Sequence, residues 1–307
     1  MSPQETPAAL SRLVTVERTG STNEDLRRAL TDTTGALNPA GAAAWPHLSA
    51  LRALHQTAGR GRAGRVWRTP AQGALTVSFV LRPLVPTARL DWLPLLAGLA
   101  VCDALAPLLR GTDWEVGTKW PNDVVTIPVS FPVGEGAGAT AKTADVPGWG
   151  RTRKLAGILT ELIAPALGPA ARAPRRREEA PVVVLGVGVN IAQPIQDLPV
   201  PWAASLASLG VEAASGEVLS VLADALAAVV GQWESAQGDP DAGAGALGRR
   251  LREACTTLGQ QVSVTTPAGE CTGLAVDLRP GLVLSADGGR PLTTVSAGEV
   301  SLLRALP

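Results

Sequence analysis

The sequence predicts an α+β fold: a mixed β-sheet flanked by helices, carrying the functional site, followed by a small β-barrel. Three observations carry this expectation. Short apolar runs punctuated by glycine or Pro-Asn read as strands. The apolar stretch from Trp92 to Leu109 reads as a buried helix, since Asp103 and Pro107 interrupt it too soon for a membrane span. After Leu258 the chain breaks into short strands split by PAGE, RPG and DGG turns, the texture of a small barrel. The expected division is therefore residues 1–257 and 258–307.

Composition bounds the function. The 307 residues can bury a substantial core, and 46% apolar with 18% charged residues is the balance of a soluble globular protein. Lys+Arg and Asp+Glu stand at 27 each, which excludes a polyanion binder at the level of the whole chain; any basic patch must be local. Cys102, Cys255 and Cys271 have neither zinc nor disulfide spacing, which suits a reducing cytosol. The segment MSPQETPAALSRL lacks the apolar core of an export signal.

Taken in order, LVTVER (Leu13–Arg18) alternates like a strand and leads into GSTNEDL, where Ser21 and Glu24 have capping-box spacing before a helix. The Ala/Gly/Pro-rich stretch that follows is expected to be a loop. Gly73–Pro83 reads as a strand, and the buried helix comes next. WEVGTKWPNDVVTI, RKLAGILTELI and PVVVLGVGVNIA then read as strands. Two low-complexity segments, Pro128–Arg151 and Ala164–Ala180, interrupt them and are expected as exposed insertions, the first lying away from the chemistry and the second carrying the solvated charge run RRREE. Helices are expected at Gly216–Trp233 and Leu247–Leu258.

The densest signal is HQTAGRGRAGRVW at His55–Trp67, with Gly59, Arg60, Gly61, Arg62, Gly64 and Arg65 in one run. It is no dinucleotide fingerprint, because Pro70 and Gly73 oppose the helix that must follow those glycines. Trp67 among arginines would suit a single-stranded nucleic acid, yet no second basic, aromatic-bearing segment extends the surface. A mobile loop that closes on a small anion fits best: glycines supply backbone freedom and arginines supply forked donors for carboxylate or phosphate.

GSTN at Gly20–Asn23, the arginine loop, KWPNDV at Lys119–Val124, KLAGILTEL at Lys154–Leu162 and LGVGVNI at Leu185–Ile191 occur in one order. Together they resemble the biotin protein ligase family, of the monofunctional type without an N-terminal DNA-binding domain. VSAGEVSLLR is similar to the end of that family's SH3-like C-terminal domain. The resemblance implies the class II synthetase-like catalytic fold, with Mg2+-ATP and biotin as substrates. It implies activation of biotin to biotinyl-5′-AMP and transfer to one lysine of a biotin carboxyl carrier domain of an acetyl-CoA carboxylase type enzyme, in the cytoplasm, with no DNA or membrane partner. A lipoate or octanoate ligase or transferase of the same superfold, and a non-enzymatic biotin-responsive regulator, are the alternatives.

By the same resemblance, Ser21, Thr22, Asn23 and Gln56 hold biotin, while Gly59, Arg60, Gly61 and Arg62 close over biotin and its adenylate. Lys154 and Arg62 are the catalytic residues, Lys154 neutralising the reacting carboxylate and phosphate. Arg65, Trp67, Asn190, Lys119, Asn122 and Asp123 face ATP. Asp123 either serves the metal or steers the incoming lysine, and the metal ligands stay unassigned. Ser21 and Glu24 are equally explained as a plain helix cap, and Asn190 as a turn residue. Trp202 is a weaker candidate for the family's adenylate-covering loop. Ala63 departs from the larger polar or basic residue that relatives often carry.

Overall fold

The computed structural model describes residues 6–68, 73–129, 144–164, 172–285 and 292–303. Seven strands form the main sheet: β1 (Arg12–Thr19), β2 (Ser49–Gln56), β3 (Ala74–Leu81), β4 (Trp114–Lys119), β5 (Asp123–Pro128), β6 (Arg153–Ala164) and β7 (Val182–Asn190). Their spatial order is β1-β2-β3-β7-β6-β5-β4. β1 and β2 run parallel and the other neighbours antiparallel, so the sheet is mixed.

Side-chain alternation divides the sheet into two faces. On β3, Leu75, Val77, Phe79 and Leu81 enter the large core, as do Val183, Leu185, Val187 and Val189 of β7. That core is capped by α3 (Leu93–Leu105), α4 (Ser215–Ser235) and α5 (Ala246–Ala254). The Leu93 helix is enclosed on nearly every side, all its residues but Pro94 and Asp103 being buried, and Asp103 pairs with Arg250 at its surface; Pro107 stands in the 3-10 turn (Ala106–Leu109) that follows it. Among the described residues two helical segments, Thr87–Leu109 and Ser215–Ser235, are apolar and long enough to cross a membrane, but most of the first and one face of the second, including Leu219, Leu222, Leu226 and Trp233, pack into this core. On the opposite face a smaller cluster joins Leu26 and Leu30 of α1 (Thr22–Leu30) to Leu51, Val80, Val182 and Val184.

The second sheet comprises β8 (Gln261–Thr266), β9 (Gly269–Arg279), β10 (Gly281–Ser285), β11 (Thr293–Val295) and β12 (Glu299–Leu302). It is antiparallel throughout, in the order β11-β10-β9-β8-β12. The DGG turn and the end of the expected run at Arg304 lie outside the described residues.

Several expectations need correction. The stretch expected to be a loop after α1 holds α2 (Pro39–Ala44) and the whole of β2. SALRALHQ is rich in helix formers and does not alternate, yet it becomes an interior strand because β1 and β3 pair with both its edges. The last helix stops at Ala254, and Cys255 instead bridges to Thr118. In the charge run, Arg177 is anchored: it ion-pairs with Glu234 of α4 and donates to the Arg82 carbonyl. Of the first insertion, 130–143 lie outside the described residues, whereas 144–151 reach the site, contrary to expectation. In the second insertion, 165–171 lie outside them.

Candidate active site

The small-cluster face of the sheet carries the site. Along β7 the residues facing α1 are Val182 and Val184, then Gly186, Gly188 and Asn190. Loss of side chains at Gly186 and Gly188 opens the sheet surface. A Cβ on Gly186 would stand 2.4 Å from Asn23 Oδ1, and one on Gly188 would stand 2.4 Å from Trp67 Cε2. Gly157 of β6 completes the floor beneath Trp67, with the indole 3.1 Å from the Cβ it lacks. The glycines of GVGVN and LAGI thus leave room for two site residues to lie on the sheet. Above this floor is a cavity of about 750 Å3.

One end of the cavity is neutral and hydrogen-bonding. Ser21 is the N-cap of α1, its Oγ 3.5 Å from the Glu24 N–H. The expected reciprocal half of the capping box is replaced, because the Glu24 carboxylate pairs with Arg27, Arg28 and Arg60. The Arg27 hydrogen bond and the charges of Arg27, Arg60 and Arg28 hold the Glu24 carboxyl below its ordinary range against burial. Thr22 donates through N and Oγ1 to Gln56 Oε1, at 2.8 and 3.1 Å. Asn23 Oδ1 lies 2.6 Å from Ser78 Oγ, and its Nδ2 donates to Glu161 at 2.6 Å. Ser21, Thr22, Asn23, Glu24, Gln56 and Ser78 are buried, and their mutual bonds fix their orientation.

The other end is cationic. The arginine run is a short hairpin: Gly61 N donates to Arg65 O and Trp67 N to Gly59 O, at 2.7 and 2.9 Å. Ala63 and Gly64 both take positive φ at its tip, 54° and 74°. Each arginine has an anchor: Arg60 on Glu24 at 3.0 Å, Arg62 on Asn122 Oδ1 at 3.3 Å, and Arg65 on Glu299 of β12 at 2.6 Å. Burial draws the Arg62 guanidinium down from its ordinary range, opposed by Asp123 and Glu299. Lys154 ion-pairs with Asp123 at 2.6 Å, and its Nζ lies 5.7 Å from the Trp67 ring centroid. Lys119 is buried and donates to Val300 O at 2.6 Å; desolvation pushes its ammonium down to about 8.

The structure therefore brings Ser21, Thr22, Asn23, Gln56, Arg60, Gly61, Arg62, Arg65, Trp67, Lys119, Asn122, Asp123, Lys154 and Asn190 to one cavity, with Trp202 on its wall. Gly59 is off the wall, at the hairpin base, where a Cβ would meet Trp67 O at 2.5 Å. Asn190 ties down the loop after β7, donating to Ala204 O at 2.9 Å. Trp67 Nε1 is buried without a hydrogen-bond partner on the cavity side of the floor. Sequence reasoning missed Ser78, Glu161, Trp149 and the contribution of the C-terminal sheet through Glu299 and Val300. Ser78 could have been found, since TVSFV sets Thr76 and Ser78 on the face opposite Leu75, Val77 and Phe79. Among the described residues no group of three or more His, Cys, Asp or Glu is placed to hold a metal.

A pocket neutral at one end and cationic at the other, on a mixed sheet with an appended antiparallel sheet, defines the class. Residues 30–168 match the profile of the Biotin/lipoate A/B protein ligase family. The chain is 36% identical over 296 residues to a biotin–[acetyl-CoA-carboxylase] ligase of Mycobacterium tuberculosis, covering 95% of this chain and 90% of that one. It is 30% identical over 251 residues to the enzyme of the same name from Paracoccus denitrificans, covering 81% and 88%. The fold is similar to that of the Aquifex aeolicus biotin protein ligase in complex with biotin and ATP, at TM-score 0.64 and 23% identity, covering 96% of this chain and all of that one. The chain belongs to the biotin protein ligase family.

Proposed function

We infer that the cavity is the site at which biotin is activated and passed on. The chain is an ATP-dependent biotin protein ligase. The observation that carries the reading is the polarity of the cavity: fixed neutral donors and acceptors on α1 and β2 at one end, and the arginine hairpin, Lys119 and Lys154 at the other. A neutral cyclic urea suits the first end. The second suits the meeting of a carboxylate with a triphosphate, where like charges must be neutralised.

In the first step a carboxylate oxygen of biotin attacks the α-phosphorus of ATP, and pyrophosphate leaves. Lys154 stands beside Asp123 at the centre of the cationic end, and a ligand carboxylate would compete with Asp123 for its ammonium. Arg62 and Arg60 on the hairpin lie over the product and keep water from the mixed anhydride. In the second step the neutral ε-amine of the acceptor lysine attacks the acyl carbon, AMP leaves, and the amine gives up its proton. Asp123, released when Lys154 turns to the ligand, is a cavity carboxylate free to steer that lysine and take its proton. Magnesium enters with the ATP phosphates as part of the substrate.

We assign the acceptor to the carrier domain of an acetyl-CoA carboxylase type enzyme, on the names of the two relatives. The cytosol is the compartment that supplies ATP and suits the three free cysteines. Residues 1–257 form the catalytic unit and 258–307 the appended one, which lends Glu299 and Val300 to the cavity. Calorimetric titration with biotin and with lipoate, each with and without a non-hydrolysable ATP analogue, tests the reading. Biotin should bind and lipoate should not; preference for lipoate would replace it with the lipoate alternative.

A further inference from the structure

The end of the first insertion reaches the cavity. Val146 and Gly150 exchange backbone hydrogen bonds, both at 2.8 Å, closing a tight turn, and Leu302 N on β12 donates to Gly148 O at 3.1 Å. Gly148 and Gly150 take φ of 76° and 59°, where glycine meets no Cβ penalty. Arg153, almost wholly buried, holds the turn from below by donating to the carbonyls of Gly150, Thr152 and Ala144. The segment is thus built in place.

Its side chain at the cavity is Trp149. The indole stacks on Trp202, ring centroids 5.8 Å apart and planes 13° apart, and the Lys119 ammonium stands 4.2 Å from its centroid. Trp202 is strapped to β6, its carbonyl accepting from Lys154 N at 2.6 Å. The stacked pair therefore links the surroundings of the two cavity lysines. Lys119 points one hydrogen at Val300 O, is covered by Trp149, and is faced by Asp123, Glu299, Lys154 and Arg65.

We propose that Trp149 is a positioning residue of the ligase: stacked on Trp202, it excludes water from Lys119 and aims that ammonium at the phosphates of ATP. The proposal rests on the reading of this cavity as the adenylation site. A cation stripped of water binds an anionic oxygen more strongly than a hydrated one, and a ring face supports it without competing as a counter-ion. The same desolvation makes the ammonium easier to discharge. In the wild type kcat/KM for ATP should accordingly decline as pH rises through about 8, as Lys119 loses its proton.

The test uses the whole chain in biotin-dependent ATP–pyrophosphate exchange from pH 7 to 10, comparing wild type with Trp149→Ala, Trp149→Gln and Trp149→Phe. A second readout is the titration of Lys119 by NMR on isotope-labelled lysine; the chain has three lysines, Lys119, Lys142 and Lys154, so the signals are resolved by substitution. Ala and Gln admit water. Each should lower kcat/KM for ATP at pH 7 by about 10-fold, change KM for biotin little, and move the Lys119 midpoint up toward the ordinary lysine value. Phe retains a ring face and should restore both readouts. Gln keeps the comparison available should Ala not fold. An unmoved Lys119 midpoint, or equal losses toward ATP and biotin, would overturn the proposal and leave the ligase reading intact. A folded wild type without exchange would defeat the ligase reading, and the proposal with it.

Discussion

Replacing Gly186 or Gly188 by alanine adds one methyl group to the same face of the same strand, two residues apart, and the two variants should fail at opposite ends of the ligand. At Gly186 the new Cβ would stand 2.4 Å from Asn23 Oδ1 and 3.1 Å from its Cγ. Asn23 cannot yield without leaving Ser78 and Glu161, each held at 2.6 Å. Loss of two such bonds at ~0.5–1.5 kcal/mol each amounts to ~1–3 kcal/mol, or roughly 5- to 150-fold in affinity. At Gly188 the Cβ would stand 2.4, 2.6 and 2.8 Å from three indole atoms of Trp67. The ring must lift from the sheet into the cavity, an overpacking cost of ~1–3 kcal/mol. The assay is biotin-dependent pyrophosphate exchange, with each substrate varied while the other saturates. Gly186→Ala should raise KM for biotin and spare ATP; Gly188→Ala should raise KM for ATP and spare biotin. If both variants shift both constants in the same ratio, the two ends of the cavity are not separate subsites and the orientation of the ligand is wrong.

Three further outcomes are expected. Lys154→Gln removes the charge that faces Asp123; adenylate formation should slow by an amount equivalent to ~2.7–4 kcal/mol, while transfer from supplied biotinyl-adenylate recovers more, and equal loss in both steps would show that Lys154 positions the adenylate throughout. Arg62→Ala removes a charge-assisted contact worth ~1.5–3 kcal/mol and should release the mixed anhydride, read as biotin on bystander proteins; undiminished adenylate retention would remove Arg62 from this role. His47 accepts from the Arg82 N–H at 3.0 Å, and burial together with Arg177 pushes its pKa down to about 4. The unfolded chain binds that proton below about 6.5 and the folded chain does not, so this contribution is complete above 6.5 and is lost as pH falls toward about 4, at ~1.4 kcal/mol per unit. Tm should fall over that window, less steeply in His47→Asn; identical slopes would exclude His47 as the cause.

Much of the fold was legible because its strands carry their own punctuation. Val-rich β7, the Pro-Asn turn between β4 and β5, and the turn-split C-terminal strands declare themselves by pattern. β2 did not, since SALRALHQ is a strand only through its neighbours. α2 carried an Asn38 cap and Pro39 in its first turn, signals swamped by the Gly/Ala texture around them. In the site, motif residues that touch the cavity were visible, but those acting from behind were not. Ser78 and Glu161 matter because Asn23 lies between them; alternation in TVSFV puts Ser78 on the site face, but its pairing with Asn23, and that of Glu161, relates distant elements that no local spacing encodes. Trp149 was hidden for a different reason: composition marks the whole of Pro128–Arg151 as featureless, while its last turn is pinned by Arg153 and β12. The arginine loop was read as mobile; its three anchors on α1, Asn122 and β12 show what an incoming ligand must compete with.

The central claim is that one cavity joins the carboxylate of biotin to the α-phosphate of ATP. Exchange of labelled pyrophosphate into ATP by the purified chain measures that bond directly, without any acceptor protein. Exchange should require biotin, remain absent with lipoate or octanoate, and collapse in Lys154→Gln. Exchange driven by lipoate or octanoate instead of biotin, or none in a folded chain supplied with biotin and magnesium, would contradict the account.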